Sequence, residues 1–148
     1  MNDRQIAAKK YLNSSRELKV KLEILRDQKE EMIAQATSIN AGFNPVKVQT
    51  SKNPNKMADA VIKATAIEEK IEKAFVEYLD LQQEQVTRIQ HLKNPKYMKM
   101  LFKVCIQGKT LKVAALESDI SQSYASEVLC KALDEFAMNN ADVVDAFI

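Results

Sequence analysis

At 148 residues the chain has room for one ordinary core, or for an elongated element and a small compact domain. Its 46% hydrophobic and 28% charged residues exclude a disordered composition, and only two glycines and three prolines favour long helices. The formal net charge of +2, from 22 basic and 20 acidic residues, excludes a global pull toward nucleic acid or an anionic membrane, so any such contact has to be local.

The start, Met1-Asn2-Asp3-Arg4, leads into a polar helix without the apolar core of a signal peptide. No stretch reaches the roughly 18 consecutive apolar residues of a membrane span, so no membrane partner is expected. From Asp3 to Ala36 there is neither Pro nor Gly. Leu18, Leu22, Leu25, Met32 and Ala36 recur there at steps of three, four or seven and predict a helix with one apolar stripe. Glu23, Asp27 and Glu31 follow at like-charged i,i+4 spacing, which reads as a solvated face.

Residues 37–55 carry Gly42, Pro45 and Pro54 among Asn, Ser, Thr and Lys, the composition of a loop. It is long for a helix connection, and Lys47, Lys52 and Lys56 make it locally basic. A second unbroken helix is predicted from Lys56 to Leu92. Ala60, Ala64, Ile67, Ile71, Ala74, Tyr78 and Leu81 give it the alternating four-three spacing of a coiled-coil seam, widened by Val61, Phe75, Val86 and Ile89. Two helices of about 35 residues, each roughly 50 Å long, need a partner for their stripes. An antiparallel hairpin over residues 1–93 supplies it, and leftover apolar surface would invite a second copy.

Asn94-Pro95 predicts a new helix and a new domain, because Asn caps well and Pro fits the first helical position. Tyr97, Met98, Leu101, Phe102 and Cys105 mark its apolar side, and Gly108 suits the left-handed position after its end. Thr110 then caps a short helix holding Leu111, Val113, Ala114, Ala115 and Leu116; after a break at Ser118-Asp119, Ser121 caps another. That last helix has Ala125, Val128, Leu129, Ala132, Leu133 and Phe136 on one side. Gln122, Ser123, Ser126, Glu127 and Lys131 lie on the other. The tail, residues 138–148, is acidic and apolar together, and its Val, Phe and Ile need either packing on the domain or a docking partner.

Catalysis and metal binding find no support in the residue pattern. His91 is the sole histidine, which rules out a His-rich metal site or a Ser-His-Asp arrangement. Carboxylates such as Glu68-Glu69 and Glu30-Glu31 are sequence neighbours on helices and diverge by about 100°. Cys105 and Cys130 read as reduced, partly buried thiols, and no Gly-rich phosphate loop is present. No enzyme activity and no cofactor are expected.

The segment from Gly108 to Leu133, G-K-T-L-K-V-A-A-L-E-S-D-I-S-Q-S-Y-A-S-E-V-L-C-K-A-L, resembles region 4 of bacterial sigma factors without gaps. The matching positions are Thr110 as cap, Ala115 at the helix crossing, Ile120-Ser121 opening the second helix and Lys131-Ala132-Leu133 closing it. Asp119 stands where the usual turn has Gly, and Ala114 replaces a larger aliphatic residue. With K-K-Y-L near the start and V-x-x-S-K-N-P-N in the loop, the stretch from Ala8 to Phe136 is similar to late-gene transcription regulators of the ArpU and RinA type, from phages of low-GC Gram-positive bacteria.

The resemblance implies an all-α protein in the cytoplasm of a bacterial host, with a helical stalk, a helix-turn-helix domain over residues 94–137 and the short tail. It also implies a transcriptional activator that binds double-stranded DNA as a homodimer and acts with host RNA polymerase. Gln122, Ser123, Ser126 and Glu127 would then meet base edges or nearby backbone, with Lys109, Thr110, Lys112, Ser121 and Lys131 toward phosphates. On spacing alone the same residues read first as a solvated helix face, and the resemblance is what favours DNA contact. A DNA-packaging recognition subunit of the small-terminase kind, and an interaction module that has lost DNA affinity, are the competing readings.

Overall fold

The computed structural model describes residues 1–41 and 54–148. Every element among them is helical: α1 (Asp3–Ala41), α2 (Pro54–Gln90), α3 (Pro95–Leu101) running into a π turn (Phe102–Ile106), α4 (Leu111–Glu117), α5 (Gln122–Asn139), α6 (Ala141–Val144) and a closing 3-10 turn (Asp145–Phe147). α1 runs five residues past its predicted end, and α2 begins two residues before and ends two residues short of its predicted bounds. Nothing breaks the chain between Ala36 and Ala41, and Pro54 needs no N–H at the start of a helix. The loop expected over residues 37–55 is therefore helical at both its ends; its remainder, with Lys47 and Lys52, lies outside the described residues.

The chain divides into two compact units, residues 1–17 with 78–148, and residues 18–77. The position expected for a domain boundary, between residues 93 and 94, falls inside the first unit. Ala7, Ala8, Tyr11 and Leu12 of α1, with Ile89 and Leu92, are buried in the same core as Met100, Leu101, Leu129, Leu133 and Phe136. Hydrophobic burial is contiguous across all of them, so the first unit is wider than the 94–137 segment. The tail belongs to it too: Val144 is fully buried and the Phe147 ring stacks edge-on against Tyr11, 5.9 Å between centroids.

In the first unit, α1 opens on a capping box. The Asn2 side chain accepts from the Gln5 N–H at 2.8 Å, and the Gln5 side chain accepts from the Asn2 N–H at 2.9 Å. Gln85 occupies the seam position four residues after Leu81, where an apolar residue is the rule. It is fully buried and donates to the Tyr11 carbonyl at 2.7 Å and the Ser14 hydroxyl at 3.0 Å.

In the second unit, Leu22, Ile67 and Ile71 are buried, with Leu18, Leu25, Met32, Ala36, Ala60, Ala64 and Ala74 half-buried. Lys29 bridges Glu68, and the Arg26 guanidinium lies 5.7 Å from the Phe75 ring centroid. The seam is narrower than expected. Val61 is 61% exposed and Phe75 39%, the latter covered on one face by a cation instead of an apolar side chain.

Candidate functional site

The segment with the most functional signal in the sequence, α4 to α5, is held by local backbone chemistry. The Thr110 hydroxyl accepts from the Val113 N–H at 3.2 Å, and the Ser121 hydroxyl accepts from the Tyr124 N–H at 3.1 Å, so both predicted caps form. Between them α4 ends in a Schellman motif. The Ile120 N–H donates to the Ala115 carbonyl at 3.1 Å and the Asp119 N–H to the Leu116 carbonyl at 3.2 Å. Asp119 takes the left-handed position, with φ 57°. Ala114 and Ala115 are buried, which lets α4 and α5 pack with little between their backbones.

The element before α4 is fixed in a similar way. Asn94 caps α3 through the Lys96 N–H at 2.9 Å, with Pro95 in the first helical position. At its far end the π turn closes with the Gln107 N–H on the Phe102 carbonyl, and the Lys109 N–H reaches back to the Lys103 carbonyl around Gly108, whose φ is 73°.

All six apolar residues assigned to the inner side of α5 are buried, and Ala137 joins them. Gln122, Ser123, Ser126, Glu127 and Lys131 are exposed, as are Thr110, Lys112 and Ser121. Lys109 differs. Its ammonium donates to both Glu117 oxygens, at 2.6 and 2.8 Å, and Lys103 approaches the same carboxylate at 3.4 Å. These hydrogen bonds, that from Lys109 foremost, hold the Glu117 carboxyl below its usual range. Lys109 is therefore engaged within the protein, whereas Lys112 and Lys131 have no carboxylate within salt-bridge distance among the described residues.

Two features have no place in the sequence-derived site. Lys96 and Lys99 of α3 and Lys103 of the π turn after it follow one another at steps of three and four, a row visible in the sequence but not assigned a role. Lys96 also lies 5.7 Å from the Tyr124 ring centroid, which brings α3 beside the first turn of α5. The second feature is Gln5, whose buried side chain donates to the Asp134 carboxylate at 2.7 Å and the Cys130 carbonyl at 3.3 Å. The start of α1 thus engages α5 from Cys130 onward. No local sequence signal marks a contact across 129 residues.

Both cysteines are free; burial pushes the Cys105 thiol up to about 11, so it stays protonated near neutral pH. Among the described residues no three His, Cys, Asp or Glu side chains gather as a metal site, and no helix is long and apolar enough to cross a membrane. No family model, curated protein or solved structure matches the chain.

Proposed function

We propose that the chain is a sequence-specific DNA-binding activator of phage late genes that acts with host RNA polymerase, with α4 and α5 forming a sigma region 4-like helix-turn-helix carried on a long antiparallel helical hairpin. One observation carries this reading. The first turns of α5 expose Gln122, Ser123, Ser126 and Glu127 side by side, behind a short helix whose caps and left-handed turn fix its angle. A recognition helix meets base edges with its N-terminal residues, and Gln and Ser donate and accept the hydrogen bonds those edges offer.

Dimerisation is part of the proposal because the isolated face is weakly cationic. Two copies present two such faces and raise affinity through effective concentration. The second unit leaves Val20, Ile24, Ile62 and Val76 more than half exposed, apolar side chains that a second copy would cover. The test is a footprint or gel shift on DNA upstream of a phage late operon, with wild type and with Ser126→Ala and Lys131→Ala. Lost protection in the variants is expected; unaltered affinity would remove both residues from the interface.

A second reading, an interaction module without DNA affinity, draws on Glu127 in the middle of that face and on Glu117, which occupies Lys109 and Lys103. Absence of salt-sensitive DNA binding at low ionic strength would decide for it.

A further inference from the structure

Beside α5 lies a cavity of about 310 Å³ lined by Lys96, Lys99, Lys103, Glu117, Ile120 and Val128, among others. Lys96 and Val128 also line an adjoining recess of about 150 Å³, which Tyr124, Glu127 and Lys131 complete on the α5 side. The two hollows share Lys96 and Val128 in their walls and are together termed the α3 groove. Its floor is apolar, since Met100 and Val128 are buried, and its cations stand on the rim.

Three ammonium groups on one side of a helix repel one another. Two carboxylates line the groove: Glu117, which sits between Lys103 and Lys109, and Glu127 on the α5 side, which has no lysine within salt-bridge distance among the described residues. From Lys96 to Lys103 the row spans seven steps of helix, about 10 Å at 1.5 Å per residue. The phosphates of one strand form a regular row of single charges, so a stretch of that length meets more than one of them. Spacing and sign both match a nucleic-acid backbone better than a single small anion, which would leave most of the row uncompensated.

We propose that the α3 groove holds phosphodiester groups of a DNA duplex backbone, and that the Glu117 carboxylate stands in for one phosphate until the duplex displaces it. The proposal rests on the DNA reading of α5 and adds to it a sequence-independent contact alongside the base-reading face. Lys103 and Lys109 exchange one oxygen anion for another when the duplex docks, and no bond other than hydrogen bonds is made or broken.

The experiment is fluorescence anisotropy with a labelled duplex of about 30 base pairs and random sequence, titrated across a series of salt concentrations. The proteins are wild type, K96Q/K99Q/K103Q, K96R/K99R/K103R and E117Q, each checked by thermal melting. Log affinity against log salt should lose about 2 to 3 units of slope in the glutamine triple, near 0.9 per cation, and keep the wild-type slope in the arginine triple. Glu117→Gln should bind several-fold tighter with a steeper slope, and it tests the groove even if the glutamine triple melts early. A folded glutamine triple with the wild-type slope, or an E117Q variant with unchanged affinity, overturns the groove and leaves the DNA reading standing. A wild type with no salt-dependent duplex binding overturns both.

Discussion

Arg88 and Asp142 meet through two parallel N–H···O bonds of 3.1 and 3.0 Å, which tie α2 to α6. The same guanidinium donates to the Asn140 side chain at 2.9 Å and to Glu84 at 3.2 Å. Only a planar fork serves several oxygens in this way, so Arg88→Lys is not conservative. It should lower the thermal midpoint by about 2 to 4 °C. Arg88 holds the Asp142 carboxyl below its ordinary range. A depressed carboxyl pKa contributes stability that is present above the ordinary carboxylate value and lost as pH falls through the lower folded value. The gap between wild type and Arg88→Lys should therefore narrow as the melt is moved from neutral pH to below pH 3.8.

The N-terminal helix supplies core to the last third of the chain. Leu12 is fully buried with Leu133 and Phe136 in one cluster. Truncating it removes its transfer energy and leaves a void, so Leu12→Ala should cost about 2 to 5 kcal/mol in denaturant unfolding. A fragment of residues 94–148 lacks Ala7, Ala8, Tyr11, Leu12, Ile89 and Leu92 altogether. It should show poor amide dispersion in NMR and no cooperative melt, whereas a fragment that melts cooperatively would mean that those residues are dispensable.

Tyr11 ties this core to alkaline pH. Its phenol is buried against the Phe136 ring and bonds Glu84 at 3.3 Å; burial first, and the Glu84 charge second, push its pKa up to about 12 from 10.0. A phenol whose folded pKa is raised contributes stability that is fully present below pH 10.0 and lost as the pH climbs toward about 12. Wild type should lose thermal stability steeply across that window. Tyr11→Phe, which has no proton to lose, should show a shallower fall from a similar midpoint at pH 7.

The features legible in the sequence are those written within a few residues. The caps at Asn94, Thr110 and Ser121, the left-handed Gly108, the four-three seam and the inner side of α5 all follow from local hydrogen bonding or helical period. What escaped depends on partners far along the chain. Gln85 is polar at an apolar seam position because the Tyr11 carbonyl and the Ser14 hydroxyl face it, 74 and 71 residues away. Gln5 bonds to α5 for the same kind of reason, and the first unit takes in the start of α1 because that turn shares a core with a helix more than a hundred residues later. The lysine row on α3 was visible as spacing. Its meaning was not, since the carboxylate that answers it sits on another helix.

Two residues hold left-handed backbone, and substitution should separate their costs. Asp119 has φ 57°, where an L side chain is strained and glycine is not. Asp119→Gly should raise stability to unfolding by about 0.5 to 1 kcal/mol, with the α4 end unchanged. Gly108, at φ 73°, runs the opposite way, and a Cβ there would also stand 2.6 Å from the Arg16 Nη1, which donates to the Val104 carbonyl at 3.3 Å. The guanidinium ends a flexible side chain and swings aside at the loss of that one long hydrogen bond, so backbone strain dominates: Gly108→Ala should cost about 1 to 2 kcal/mol. In an Arg16→Ala background the cost of Gly108→Ala should fall only slightly. A drop to near zero in that double-mutant cycle would instead assign the whole effect to the Arg16 contact.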